Sequence, residues 1–134
     1  MKRIFLNLLL TSLVMGLLIP ACGDDDDAND LLIGGECAVA ADCDDENDET
    51  PELECLTEFG GGYCGLEGCE SDLDCPDGSL CANLEGAHYC FLVCTDKNQC
   101  NENRTAENES NCSSSVDPIS GGEAKLCIPP SSGI

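Results

Sequence analysis

The chain contains thirteen cysteines, and an odd number means that at least one of them has a role other than an internal disulfide. The odd residue is Cys22, which directly follows an apolar N-terminal segment. The other twelve lie between Cys37 and Cys127, and clustering of this kind in an exported chain predicts a disulfide framework. The cysteines therefore divide the chain into an N-terminal leader and a cysteine-rich domain.

The first 21 residues have the features of an export signal. Lys2 and Arg3 precede a run over residues 4–19 that is apolar apart from three polar residues, and Ala21 is a small residue at its end. This run is shorter than the about 20 residues that a membrane-spanning helix needs. We interpret residues 1–21 as a signal peptide that is removed, in preference to a retained membrane anchor.

The junction Leu18-Ile19-Pro20-Ala21-Cys22 resembles the lipobox of bacterial lipoproteins, in which an apolar residue and a small residue precede the modified cysteine. By this resemblance Cys22 becomes the lipidated N-terminus. Lipidation of Cys22 leaves an even number of thiols for pairing, which agrees with the cysteine count. The alternative is cleavage without lipid, which leaves one free thiol.

Beyond residue 21 the chain is strongly acidic. Its 27 carboxylates face three cations, Lys97, Arg104 and Lys125, so its formal charge is −24. This charge excludes nucleic acid as a natural partner and also repels anionic lipid headgroups, so membrane attachment is expected through the lipid. Residues 22–36, with four adjacent aspartates and paired glycines, are interpreted as a flexible tether. An acidic run after a lipidated cysteine resembles the leader of myxobacterial cysteine-rich lipoproteins.

The twelve domain cysteines form three units of four, at residues 37–64, 69–90 and 94–127. The first interval is five residues in every unit; the later intervals are 11 and 8, 5 and 8, and 11 and 14 residues. Residues 37–128 contain 17 Leu, Ile, Val, Phe and Tyr side chains, too few for stability from burial alone. We therefore predict a small disulfide-rich fold of three tandem units with short β-hairpins and little regular secondary structure, followed by a tail at residues 129–134.

The middle unit, CESDLDCPDGSLCANLEGAHYC, resembles the cysteine-rich repeat of Dickkopf N-terminal domains, with Asp72, Cys75, Pro76, Gly78 and Cys81 in matching places. Four cysteines allow three pairings. The resemblance implies a colipase-like fold in which the first cysteine pairs with the third and the second with the fourth. Extended by spacing to all units, it implies the bridges Cys37–Cys55, Cys43–Cys64, Cys69–Cys81, Cys75–Cys90, Cys94–Cys112 and Cys100–Cys127.

The turn residues of the same unit also predict local structure. Pro76 presets its φ angle and Gly78 supplies a positive one, so residues 75–78 are typical of a tight turn. We expect two short strands to flank this turn, one near Leu73 and the other near Leu80.

Metal binding and catalysis are less favoured. Structural zinc sites use cysteines two to four residues apart, whereas five-residue gaps dominate here. The single histidine, His88, has no nucleophile motif near it, so we expect neither catalysis nor a cofactor. Residues 42–54 are rich in carboxylates and give a weaker alternative, low-affinity calcium binding, although Glu49 occupies the glycine position of an EF-hand loop.

Two classes of function remain. The first is a lipid-anchored binding or structural module of the cell envelope, expected at the outer membrane or cell surface, with a protein or glycan as partner. The second is a protease inhibitor, because residues 72–76 also resemble whey acidic protein modules. Residues 84–89 or 96–103 would then present the scissile bond, and Lys97 or Arg104 would suit a trypsin-like protease.

Overall fold

The computed structural model describes residues 32–44 and 52–131. Within these ranges the longest helical segment is a single 3₁₀ turn of four residues, and all strands form two-stranded antiparallel pairs. The predicted fold class, a small disulfide-rich domain with short β-hairpins, is therefore confirmed.

Each unit is built in the same order, a 3₁₀ turn followed by a hairpin. The turns are Ala40–Cys43, Asp72–Asp74 and Gln99–Asn101. The hairpins are β1 (Glu54–Cys55) with β2 (Cys64–Gly65), β3 (Ser79–Leu84) with β4 (Ala87–Leu92), and β5 (Asn111–Ser113) with β6 (Leu126–Ile128). The third and fourth cysteines of every unit lie directly opposite each other across its hairpin. They therefore present two neighbouring sulfurs to the first and second cysteines of the same unit.

Six disulfides join the twelve domain cysteines in the pairs that the Dickkopf-like resemblance implied. They are Cys37–Cys55, Cys43–Cys64, Cys69–Cys81, Cys75–Cys90, Cys94–Cys112 and Cys100–Cys127. The two bridges of each unit are adjacent, because three of its four sulfurs lie within 4.8 Å of one another. Each pair of bridges thus fastens a 3₁₀ turn to the hairpin that follows it.

The hairpin of the middle unit lies at the centre of the fold. Its two-residue turn has positive φ at both Glu85 and Gly86, the geometry that matches the twist of paired strands. The amide of Cys90 on β4 donates to Leu66 O, and Cys81 O on β3 accepts from the amide of Ile119. The linker that follows the first unit and the last loop of the third unit therefore each cover one edge of this hairpin.

One of the two strands expected around the turn at residues 75–78 is absent from the structure. Leu80 lies in β3, as predicted, but Leu73 lies in the 3₁₀ turn Asp72–Asp74. The strand that pairs with β3 follows it in sequence instead, and the interval between Cys69 and Cys75 is occupied by the capped turn. Five residues between bridged cysteines leave room for that turn and for little else.

All three units contribute to one hydrophobic core. Four aromatic rings meet at centroid distances of 5.2–6.2 Å, those of Phe59, Tyr63, Tyr89 and Phe91. Leu56 from the first unit and Leu126 from the third complete the contacts around them. Edge-to-face aromatic packing adds to simple burial. The shared core means that the units stabilise one another.

The folded part extends beyond the boundaries expected from the sequence. Ile33 is buried against Leu92 and the Cys100–Cys127 bridge, although it belongs to the stretch interpreted as tether at residues 22–36. The amide of Gly34 donates to Cys64 O, and the amide of Cys64 donates to Gly35 O. At the other end, residues 129–131 of the predicted tail are in contact with the first unit through a hydrogen bond from Gly60 N to Pro130 O. Both ends of the described region are thus part of the domain.

No helix in the part of the chain that the structure describes has the length and apolar character needed to cross a membrane.

Candidate functional site

The predicted lipidation residue, Cys22, lies outside the described residues. Every cysteine that the structure describes is joined in a bridge, and the described cysteines are the twelve from Cys37 to Cys127. Cys22 is consequently the one thiol left without a partner by the pairing within the domain. The sulfurs that could otherwise hold a soft metal are engaged in covalent bonds to one another.

In each unit, a side chain within the five-residue interval caps the 3₁₀ turn by accepting hydrogen bonds from backbone amides. The cysteine spacing did not reveal this cap. The residue before the second cysteine accepts hydrogen bonds from the two amides that follow the first cysteine. Asp42, Asp74 and Gln99 occupy this position. These two backbone donors lower the pKa of Asp42 and that of Asp74. An acceptor side chain just before the second cysteine is the signal that could have identified the cap from the sequence.

The cap bears on the predicted calcium loop at residues 42–54. The Asp42 carboxylate is occupied by the amides of Ala38 and Val39, at 2.8 and 3.1 Å, so one of the carboxylates counted as a calcium ligand has a structural role. Residues 45–51, which hold four of the eight carboxylates in this loop, lie outside the described part of the chain. Calcium binding by this loop remains a prediction.

The middle unit presents Leu73 on its turn. Its side chain is 95% exposed, the largest exposure among the bulky apolar residues of the described region. The turn beneath it is fixed, since Asp74 caps it and Asp72 Oδ1 accepts the amide of Cys81 on β3 at 3.0 Å. Single exposed apolar side chains are common on protein surfaces, so Leu73 does not by itself define a binding site.

Arg104 lies at the junction of the first and third units, where it donates to backbone carbonyl groups. The acceptors and distances are Asn108 O at 2.7 Å, Gly60 O at 2.7 Å, Gly62 O at 2.9 Å, Gly34 O at 3.1 Å and Gly35 O at 3.4 Å. Glu36 accepts from the amide of Thr105 at 2.7 Å and from the side chain of Asn108. The Thr105 amide is the main cause of the lowered pKa of Glu36. This arrangement fastens the segment before the first unit to the third unit.

The geometry at the two basic residues bears on the protease-inhibitor alternative. A scissile residue has to present an exposed side chain and a free carbonyl to the protease. The guanidinium of Arg104 is instead held inward by carbonyls, and burial lowers its pKa. Lys97 is exposed, but its ammonium pairs with Glu109 and its carbonyl accepts from Asn101 Nδ2 at 2.8 Å. Arg104 thus lacks the exposed side chain and Lys97 the free carbonyl that a scissile residue requires, and both lie in a turn or bend rather than in an extended segment.

His88, the single histidine of the chain, contacts the backbone of its own unit. It lies on β4, half-buried, and its Nδ1 is 3.0 Å from the carbonyl oxygen of Cys69. This contact joins β4 to the start of the same unit.

Comparisons with protein-family models, with curated proteins and with solved structures find no match to this chain.

Proposed function

We propose that the protein is a lipid-anchored, disulfide-stabilised module of the bacterial cell envelope, which acts outside the cytoplasm by binding or as a structural component and does not catalyse a reaction. The observation that carries the proposal is the pairing of the cysteines. Six bridges use all twelve cysteines of the domain. Cys22, at a junction that resembles a lipobox, is then the odd thiol available for acylation.

The disulfides also support the proposed compartment. Structural bridges persist in oxidising spaces, which for a bacterial lipoprotein are the periplasm and the cell surface. Gly23 follows Cys22 in place of the aspartate that retains enterobacterial lipoproteins at the inner membrane, which favours the outer membrane. From Cys22 to the first described residue, Leu32, the chain spans roughly 35 Å at most. An anchor at Cys22 would therefore keep the domain close to the membrane.

The charge of the domain supports a partner that is neutral or cationic. A formal charge of −24 beyond residue 21 repels polyanions and increases the rate of encounter with cationic surfaces. A protein or a glycan therefore remains the proposed partner class.

The proposal is tested by the intact mass of the protein extracted from native membranes, measured with and without reduction and thiol alkylation. We expect an N-terminus at Cys22 with added acyl mass, and twelve alkylated thiols after reduction only. A Cys22→Ser variant should lose both the acyl mass and the membrane association. A retained leader, or unreduced thiols that accept the alkylating reagent, would refute the proposal.

The inhibitor alternative is tested with the same preparation. Stoichiometric inhibition of any member of a panel of trypsin-like and elastase-like proteases would replace the binding-module proposal, whereas inactivity against the trypsin-like members is expected from the settings of Lys97 and Arg104.

A further inference from the structure

The third unit contains a cleft within its long last interval. Its last interval, between Cys112 and Cys127, has 14 residues, whereas the corresponding interval of the other units has eight. The loop within this interval surrounds a cavity of about 410 Å³, lined by Ser114, Asp117, Gly122, Glu123, Ala124 and Lys125. This volume falls within the range of sites for small molecules.

The loop that forms the cleft is fixed at several points. Its two ends belong to β5 and β6, which pair in register at Cys112 and Cys127. In its middle, Val116 is buried in the hydrophobic core and the amide of Ile119 donates to Cys81 O on the central hairpin at 2.9 Å. The backbone of the loop is therefore held in place, while the charged side chains that line the cleft are exposed to solvent.

A tight turn then directs the chain back along the cleft. The amide of Gly121 donates to Pro118 O at 3.0 Å, and Gly121 and Gly122 both have positive φ angles. Two successive left-handed residues favour glycine. The turn places Glu123 and Lys125 on the same cavity as Asp117.

The lining presents two carboxylates, one ammonium group and one hydroxyl group. Within the described part of the chain, the charged ends of Asp117, Glu123 and Lys125 make no hydrogen bond or ion pair. These groups are therefore available to a ligand. A complementary ligand carries one carboxylate and an excess of positive charge, which is the chemistry of a basic amino acid.

We propose that this cleft binds a free basic amino acid, with Lys125 receiving its carboxylate and Asp117 and Glu123 receiving its two cationic groups. Ser114 adds a hydroxyl group that can donate to the carboxylate. Arginine fits this set especially well, because a planar guanidinium pairs with carboxylates through parallel hydrogen bonds. The proposal deepens the proposed function, since it assigns a ligand class to the binding module.

The experiment is a calorimetric titration of the full chain in non-ionic detergent with L-arginine, followed by its analogues. We expect saturable binding of one arginine per chain. Arginine amide, which lacks the carboxylate, and citrulline, which lacks the side-chain charge, should each bind about tenfold more weakly or worse. The peptide Gly-Gly-Arg has no ammonium group on its C-terminal residue and should bind more weakly than free arginine, whereas equal or tighter binding would overturn the assignment of two cationic groups to Asp117 and Glu123.

Variants with matched controls separate the cleft from the general acidity of the surface. Asp117→Asn and Glu123→Gln should each weaken arginine binding about tenfold, whereas Asp77→Asn, at an exposed turn of the middle unit, should leave it unchanged. Lys125→Gln should abolish the preference for arginine over arginine amide, and Lys97→Gln should preserve it.

Absence of saturable binding would overturn the proposal, as would equal affinities for arginine and arginine amide or equal effects of Asp77→Asn and Asp117→Asn. These outcomes are independent of the mass measurement on Cys22. A chain that is lipidated and fully bridged but does not bind arginine would refute the cleft and leave the proposed anchor intact.

Discussion

Replacement of Arg104 by alanine removes the contacts that hold the first and third units together. The guanidinium donates to five carbonyl oxygens, at 2.7–3.4 Å, on both sides of the junction. A hydrogen bond from a charged donor contributes about 1.5–3 kcal/mol, but contacts that share one group are not additive. The guanidinium is also half-buried, which reduces the value of each contact relative to a fully buried one. We expect Arg104→Ala to lower the free energy of unfolding by about 3 kcal/mol.

For a domain of about 100 residues, this loss corresponds to a decrease in Tm of roughly 12–24 °C. The assay is thermal and guanidinium-induced unfolding of the oxidised protein at pH 7. Arg104→Lys should lose an intermediate amount, because a single ammonium group cannot reach carbonyls on both sides of the junction. Lys97→Ala is the matched control, since it removes an exposed ion pair with Glu109 and should cost at most about 1 kcal/mol. If Arg104→Ala and Lys97→Ala were equally stable, the reasoning on the junction would be refuted.

Three further predictions concern the backbone, the core and the response to pH. Gly62→Ala should lower the free energy of unfolding by more than about 4 kcal/mol in guanidinium unfolding, because its Cβ would lie 2.1 Å from Cys37 O. Gly68→Ala is the control, since Gly68 also has a positive φ but has open space around it, and it should lower the free energy of unfolding by about 1–2 kcal/mol. Equal losses in the two variants would contradict the proposed clash. Tyr63→Phe should cost about 1–3 kcal/mol, because the buried amide of Leu92 loses its acceptor. Burial raises the pKa of Tyr63, so the folded state holds the neutral phenol and its contribution to stability is fully present below the ordinary tyrosine pKa of about 10. This contribution is lost as the pH rises above about 10, because the unfolded chain then ionises first. The loss of stability at alkaline pH should therefore be smaller in Tyr63→Phe. Glu36 has a lowered pKa, so its contribution to stability is present at pH 7 and is lost on acidification through the folded-state pKa. Glu36→Gln should therefore be less stable than the parent at pH 7, and this difference should shrink as the pH is lowered, as measured by denaturant unfolding.

Much of the fold could be predicted from the spacing of the cysteines, because the relevant contacts are local. The bridges close loops of 12–27 residues. A five-residue interval permits a single capped turn, and the cysteines that face each other across the hairpins explain why the first cysteine pairs with the third and the second with the fourth. The strand expected near Leu73 was wrong because the capping side chain, Asp74, was not recognised.

The roles of Arg104 and Ile33 could not be predicted in this way. Arg104 contacts Gly34 and Gly60, which are 70 and 44 residues away in sequence, so no local pattern distinguishes it from an exposed cation. Ile33 adjoins an acidic, glycine-containing stretch, and its burial depends on a surface formed by the third unit. The cleft was missed for a related reason: the long interval after Cys112 was visible in the sequence, but not the fact that its loop is fixed to the central hairpin.

The sequence by itself determined the strong negative charge, the odd number of cysteines and the division of the domain into three four-cysteine units, and it predicted an export signal and lipidation at Cys22. These features depend on residue type and on short separations along the chain, which constrain local structure directly. The tertiary structure alone decided how the units share one aromatic core, which cation is held inward and which charged side chains line a common cleft. Those outcomes depend on contacts between distant residues, whose geometry becomes defined when the three hairpins pack together.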